Sequence, residues 1–264
     1  MHTLKAIIFD MDGTLANTED IHRQAFNAAF NEAKIALQWD RAEYKQLMSI
    51  SGGRERLRQY LLKHYIKDDQ TESVLKLAER LHKRKSAIYR QKLIDGHVGF
   101  RPGIRRLIDE AISNKIRLAI ATSSSTKNVE TLLKMALGDK ALDLFSTIVT
   151  CDIVEEKKPS PAVYLYALDT LGLDARNCIA LEDSHNGNLA ALTAGLRTVI
   201  TTHLFTNDDD FSGAALVVNQ LGEPASSATV ISGNAYGHDY IDIALLDMIL
   251  THSHGVKTTA VTPG

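Results

Sequence analysis

Lys5-Ala-Ile-Ile-Phe-Asp-Met-Asp-Gly-Thr14 is a short apolar run that breaks into an acidic loop. The run reads as a buried strand. In an extended segment residues i and i+2 point the same way, so Asp10 and Asp12 face one site, and Gly13 permits the turn. Two carboxylates so close repel unless a cation or a shared proton intervenes. A hard ion with oxygen ligands, Mg²⁺, suits them. Taken alone, the same residues also read as an acidic turn capping the next helix.

Outward from this strand the pattern changes period. Residues 19–35 place Ala25, Phe26, Ala29, Phe30 and Ala33 on one helical face. Helical patterns continue through 41–50, 54–66 and 71–92, with no strand among them. Asp95 to Gly103 is rich in turn residues and reads as a hinge. Beyond it, strands at 118–121, 147–150, 178–181 and 198–201 alternate with helices at 126–136, 161–171 and 188–193. A last strand is expected at 215–218 and a last helix at 240–250. Such alternation implies a parallel sheet covered on both faces. The predicted fold is α/β, a doubly wound, Rossmann-like parallel sheet with an inserted all-helical cap. The core comprises 1–15 and 96–264, and the cap comprises 16–95.

Composition bounds the rest. The 264 residues are 44% hydrophobic and 23% charged, with a formal net charge of -2. That excludes a disordered chain, and two cysteines exclude a disulfide scaffold. Ala6 to Phe9 is too short for a membrane span, so a soluble protein of a reducing compartment, most simply cytoplasmic, is expected. Arg54 to Lys92 holds 12 Lys/Arg against 5 Asp/Glu, a surplus of +7, which leaves -9 elsewhere. This stretch reads as a solvated face of charged helices or as a basic lid over an anionic ligand. No aromatic–basic interleaving or finger spacing points to nucleic acid. Trp39 reads as a packing residue of the cap, and Cys151 and Cys178 as small core residues. His252 and His254 stand near a tail, Gly255 to Gly264, that is expected to be loose.

In open α/β sheets ligands bind beyond the carboxyl ends of the strands. The second strand ends in Thr122-Ser-Ser-Ser125, hydroxyls and free N–H groups that suit a phosphate or simply cap a helix. Lys157-Lys-Pro-Ser-Pro161 offers a lysine held by two prolines, which could neutralise a phosphoryl oxygen or be a solvated loop residue. The fourth strand ends in Glu182-Asp183-Ser184, which could complete a metal site or be an acidic loop. Singly each has its plain alternative. In that order on four consecutive strand ends, the plain alternatives would all have to hold at once.

This order resembles the haloacid dehalogenase superfamily, through DMDGT (10–14), ATS (121–123), KKPSP (157–161) and LEDS (181–184). The resemblance implies Asp10 as nucleophile and Asp12 as general acid/base. It implies Thr122, Ser123 and Lys158 as binders of the phosphoryl group. Mg²⁺ would be held by Asp10, the backbone carbonyl of Asp12, Glu182 and Asp183. Asp12 argues for phosphoryl transfer rather than dehalogenation. LANTEDIHRQAFN (15–27), YKQLMSISGGRERL (44–57), HKRKSAIY (82–89) and LGEP (221–224) further resemble the CbbY-type branch, whose typical activity is xylulose-1,5-bisphosphate phosphatase. That implies substrate contacts from Glu19, His22, Tyr44, Gly52, Gly53, Arg54 and Lys85, and removal of an inhibitor of Rubisco. Gly52-Gly53-Arg54 reads by itself as an anion clamp or as a plain interhelical turn. Asn17, Ala162, Arg54 and Leu57 depart from the branch pattern without removing a catalytic group. The alternatives are a β-phosphoglucomutase-like enzyme, a phosphoglycolate-type phosphatase and a non-catalytic phosphate-binding protein. The expected partner is a small-molecule sugar phosphate, with no nucleic acid and no membrane, and the expected state is a monomer because the cap can cover the site from within the chain.

Overall fold

The computed structural model describes residues 3–65, 71–96 and 98–252. Among them, seven strands build one sheet: β1 (Ala6–Phe9), β2 (Arg117–Ala121), β3 (Thr147–Val149), β4 (Cys178–Glu182), β5 (Arg197–Thr201), β6 (Leu216–Val218) and β7 (Val230–Gly233). Their order is β3-β2-β1-β4-β5-β6-β7. The first six run parallel. The chain winds outward from β1 through β2 and β3, then returns to place β4 on the other side of β1. The crevice at the carboxyl ends of β1 and β4 is therefore the switch point where α/β sheets bind ligands.

The two faces of the sheet differ in size. Ile7, Phe9, Leu118, Ile120, Ile179 and Leu181 point into one core cluster, while Ala6, Ile8, Ala119, Ala121, Cys178 and Ala180 point into the other. Alternation of side chains along each strand produces this split. Helices α5 (Ile104–Ser113), α6 (Thr126–Leu137) and α9 (Ile243–Thr251) cover the large-residue face. Helices α7 (Ala162–Leu171) and α8 (His185–Thr193) cover the small-residue face.

Between β1 and α5 lie α1 (Glu19–Glu32), α2 (Arg41–Leu47), α3 (Gly53–Tyr65) and α4 (Thr71–Asp95). Helices α1 and α3 pack on α4. They share an apolar cluster of their own, built on Phe26, Phe30, Trp39, Tyr44, Leu57 and Leu61. Trp39 is fully buried there, against Phe26 at 4.8 Å and Phe30 at 5.0 Å between ring centroids. One residue from the sheet side, Phe205 in the loop after β5, joins this cluster.

The expected strands and helices are present, with two additions besides the short 3-10 turns at Ala141–Leu144 and Ala175–Asn177. Helix α5 follows the hinge directly, its Ile104, Leu107, Ile108 and Ala111 all buried. Its apolar spacing was present in the sequence beside the glycines and proline of the hinge. Strand β7 pairs antiparallel to β6 and is exposed along its length, so the sheet is mixed rather than purely parallel. Its four residues carry no buried face from which a strand could be read. Cys178 is buried as expected, but Cys151 is half-buried in the turn after β3 and faces a cavity rather than the core. His252 lies 5.0 Å from Tyr236 between ring centroids and belongs to no metal-ligating cluster among the described residues. His97, His254 and the tail from Gly255 lie outside the described residues. No helix among the described residues is long and apolar enough to cross a membrane.

The unequal faces give the first prediction. Leu118→Ala, on the large-residue face, is expected to cost about 2–5 kcal/mol through the cavity it leaves. Its neighbour Ala119→Leu is expected to cost about 1–3 kcal/mol by overpacking the small-residue face. Urea unfolding followed by circular dichroism reads both, and a neutral Ala119→Leu would contradict the close packing of that face.

Candidate active site

The carboxyl end of β1 delivers Asp10 beside the end of β4, its N–H bonded to Leu181 O at 2.9 Å. Lys158, in the loop before α7, reaches between the two strands. Its Nζ lies 2.7 Å from Asp10 Oδ1 and 2.9 Å from Ala121 O, and it also donates to Glu182 Oε1. Tyr164 donates to the same Glu182 oxygen at 2.6 Å. Burial alone would lower the Lys158 ammonium, but Asp10 and Glu182 outweigh it and hold it protonated. Glu182 is fully buried, and its second oxygen lies over Gly187, where an added Cβ would stand 1.9 Å away. Gly187 is thus the space in which this carboxylate sits.

Asp10, Glu182 and Asp183 each offer an oxygen, and these oxygens lie within 4.8 Å of one another. Burial pushes Asp10 and Asp183 well above the usual carboxylate range. Ionised together, three buried carboxylates against one ammonium would carry an excess of negative charge, and the donors are all hard oxygens, so the set fits a divalent cation such as Mg²⁺. Among the described residues, Lys158 is the single side chain hydrogen-bonded to Asp10, and His203 the single one bonded to Asp183. One oxygen of each therefore remains for a ligand, whereas both Glu182 oxygens are engaged.

Asp12 is held from four sides. Thr18 Oγ1 at 2.6 Å, His22 Nε2 at 3.0 Å and Tyr89 OH at 3.0 Å meet Oδ1, and Ser124 Oγ donates to Oδ2. Burial would raise its pKa, but His22, Ser124 and Thr18 outweigh burial and hold it well below the usual range. His22 stacks on Tyr89 at 3.8 Å and accepts at Nδ1 from Lys85 Nζ at 2.6 Å. Lys85, His22 and Asp12 thus form one hydrogen-bonded chain running from α4 to the strand end.

A cavity of about 990 Å³ opens over these groups, between the sheet and α1–α4. Asp10, Asp12, Glu19, His22, Lys85, Thr122, Ser123, Lys158 and Asp183 reach its wall, as do Gly52, Gly53 and Arg54. Two residues singled out from the sequence do not. Tyr44 is buried one layer back, donating to Glu19 Oε2 at 3.1 Å and accepting from Arg56 Nη1 at 2.7 Å. Glu182 lies behind Lys158. A second, cationic cluster lies around Gly52, whose φ is +83°, and where an added Cβ would meet the Lys157 side chain at 2.5 Å. His82 stands beside it, brought down to about 3 by burial and by Lys85, Arg54 and Lys157.

Sequence reasoning did not single out Ser124, Tyr89, Lys157, His82, Arg101 or His203. Ser124, Lys157, His82 and Tyr89 lay within the quoted TSSS, KKPSP and HKRKSAIY stretches, and Arg101 within the hinge, without being given a role; His203 carries no local signal. Arg101 is buried and donates to the carbonyls of Gly13, Thr201, Thr202 and Asn219, which ties the first loop to the end of β5. His203 Nε2 lies 2.7 Å from Asp183 Oδ2, and burial holds this imidazole down to about 4.

Comparison with known proteins follows the same lines. The model of the haloacid dehalogenase-like hydrolases matches residues 7–201. Protein CbbY of Rhodobacter capsulatus is 42% identical over 225 residues, 85% of this chain and 97% of that protein. Protein CbbY of Cupriavidus necator is 41% identical over 244 residues, 92% of this chain and 95% of that one. The crystal structure of a mutant CbbY from Rhodobacter sphaeroides in complex with xylulose-1,5-bisphosphate superposes with a TM-score of 0.76 at 39% identity, covering 84% of this chain and 98% of that chain.

The buried chain from Lys85 to Asp12 predicts a pH-dependent stability. Burial brings the Lys85 ammonium from 10.5 down to about 7, with Asp12 and Glu19 opposing and Arg56 adding to the effect. Between those two values the unfolded chain binds more protons than the folded one, so stability rises with pH across that window. Below the lower value the penalty of the buried charge is fully present. Lys85→Met is therefore expected to raise the melting temperature most below pH 7 and progressively less toward pH 10.5. Each kcal/mol relieved corresponds to about 2–4 °C. Thermal unfolding of both proteins across that range checks it; a gain independent of pH would show that packing, not charge, sets the difference.

Proposed function

The chain belongs to the haloacid dehalogenase-like hydrolase family, and from that membership we propose that it is a sugar-phosphate phosphatase acting through an aspartyl-phosphate. The observation that carries this reading is the pairing, in one cavity, of a carboxylate–lysine centre at Asp10 with a separate cationic cluster at Gly52, Arg54 and Lys157. A guest with two phosphates matches both. The ligand of the CbbY structure, xylulose-1,5-bisphosphate, is such a molecule, and it is the substrate we assign here.

Asp10 attacks the phosphorus in line and displaces the sugar oxygen. Lys158, held protonated between Asp10 and Glu182, neutralises charge on the transferring group. Thr122 and Ser123 donate to the phosphoryl oxygens at the end of β2. Asp12, having taken a proton from solvent, gives it to the leaving oxygen; it then accepts one from the water that attacks the phosphorus, as the Asp10 oxygen–phosphorus bond breaks and phosphate leaves. The bonds from Thr18, His22, Tyr89 and Ser124 hold Asp12 in the form that accepts a proton. Donating one requires it to turn away from some of them. Asp10, Asp183, Glu182 and the Asp12 carbonyl would hold Mg²⁺, which when bound supplies further positive charge against the phosphoryl oxygens.

Residues 16–95 act as the cap. Glu19, His22 and Lys85 meet the sugar, Tyr44 acts through Glu19, and Gly52, Gly53 and Arg54 receive the distal phosphate. Closure over the cavity excludes bulk water. The engagement of Asp12 by Thr18, His22, Tyr89 and Ser124, which restrains it from activating water, also favours a second reading, a mutase resembling β-phosphoglucomutase, in which the aspartyl-phosphate is returned to a sugar.

Phosphate release in the presence of Mg²⁺ tests the assignment, with xylulose-1,5-bisphosphate, ribulose-1,5-bisphosphate, β-glucose 1-phosphate and phosphoglycolate compared. Preference for xylulose-1,5-bisphosphate is expected. Asp10→Asn is expected to remove turnover, and Asp12→Ala to lower it about 10²–10⁴-fold. Equal rates on all four compounds would overturn the bisphosphate assignment while leaving the phosphatase chemistry. Conversion of β-glucose 1-phosphate on addition of a sugar 1,6-bisphosphate would favour the mutase.

A further inference from the structure

Among the described residues, Asp183 accepts one side-chain hydrogen bond, from His203 in the loop after β5, at 2.7 Å between Nε2 and Oδ2. Both side chains are nearly inaccessible, 9% and 4% exposed. The other ring nitrogen fixes the tautomer. Nδ1 lies 3.2 Å from the backbone N–H of Phe205, where it can only accept. The ring proton therefore resides on Nε2 and is donated to Asp183.

The ring has little freedom to leave this place. His203 N–H donates to Thr206 Oγ1 at 3.3 Å and Thr206 N–H donates back to His203 O at 2.9 Å, a tight local turn. Across from the loop, Gly13 at φ +89° closes on the pair. A Cβ there would stand 2.6 Å from His203 Nε2 and 2.2 Å from Asp183 Oδ2. Two residues on, Phe205 is buried against Tyr44, with ring centroids 5.8 Å apart. The loop is thereby anchored both to the strand end and to the helical insert.

We propose that His203 is a positioning residue for the divalent-cation site: its Nε2–H ties Oδ2 of Asp183 and leaves Oδ1 as the oxygen offered to the cation. The proposal rests on the reading above in which Asp10 and Asp183 hold Mg²⁺. A carboxylate free to rotate about its last bond presents either oxygen in many directions, whereas one tied by a fixed donor presents one. Outer partners of this kind set ligand direction and metal affinity. A neutral imidazole does so without placing a positive charge against the cation. The nearby Arg101 guanidinium is occupied by backbone carbonyls and does not take this role.

Calorimetric titration of the substrate-free full chain with Mg²⁺ tests this. Wild type, His203→Gln, His203→Leu and Asp183→Asn are compared, with thermal unfolding of each. His203→Leu is expected to weaken Mg²⁺ binding about 10-fold or more. His203→Gln, which keeps an N–H donor at a similar reach, is expected to restore most of the loss, and Asp183→Asn to bind weakest. If His203→Leu does not fold, His203→Asn takes its place, because its shorter amide cannot reach Oδ2. Wild-type affinity in the apolar or shortened variant would overturn the proposal, as would a glutamine variant no better than leucine. Absence of Mg²⁺ binding by the wild type would overturn the metal reading of Asp10 and Asp183 itself, and the role of His203 with it.

Discussion

The ammonium of Lys158 lies between the carboxylates of Asp10 and Glu182, all three buried. Taking such ions out of water costs several kcal/mol each, and their mutual attraction offsets this only where the remaining hydrogen bonds are made. Here they are made, by Ala121 O, by Tyr164 and by the backbone N–H of Asp183. Asp183 nevertheless adds a third buried carboxylate with no second ammonium. The group is therefore poorly explained as a contribution to folding, and its excess of carboxylates fits a receptor for positive charge. Its members come from the end of β1 (Asp10), the connection after β3 (Lys158) and the end of β4 (Glu182 and Asp183), so the sheet order itself decides whether the site exists.

How much of this could be read from the sequence depends on how local each signal is. The β1 run, the paired aspartates and the four strand-end motifs declare themselves within five residues, and the parallel sheet follows from their alternation with helices. Ser124 and Asp12 are 112 residues apart, and Lys85 and His22 are 63 apart, so nothing adjacent marks their contacts. His203 sits in a loop, Thr202-His-Leu-Phe-Thr206, that resembles an ordinary turn until the sheet brings it to Asp183. Strand β7 was invisible for another reason. With both faces exposed it owes its shape to pairing with β6 rather than to its own pattern. Tyr44 shows the opposite case: the family resemblance implied a substrate contact, but the aromatic cluster draws it back behind Glu19.

The insert meets the core through α4, which packs on α6 and places Tyr89 and Leu93 in the core cluster, and through further contacts on the other side. Lys45 of α2 donates to Asn207 at 2.9 Å, and Asn186 at the start of α8 donates to Ser49 O at 2.9 Å. Phe205 adds an apolar side chain from the sheet side to a cluster otherwise built by α1–α4 and their connections. Two of these three ties arise in the single loop after β5, the same loop that carries His203. One short segment, held at its base by Arg101, thus contributes both to the seating of the insert and to the hydrogen bonding of Asp183.

The small residues of one sheet face bear on the chemistry as directly as the charged ones. Ala6, Ala119, Ala121 and Ala180 present little more than Cβ atoms to α7 and α8, whose own buried positions include Ala167, Ala190 and Ala191. Close packing of this kind lets helix and sheet approach without voids. Tyr164, on the first turn of α7, can then reach Glu182, and Gly187, on the first turn of α8, can leave room for its carboxylate. Larger residues on that face would lift both helices and remove the two contacts that steady Glu182, and Glu182 in turn holds Lys158. The apparently featureless alanine face is thus the support on which the charged centre is aligned.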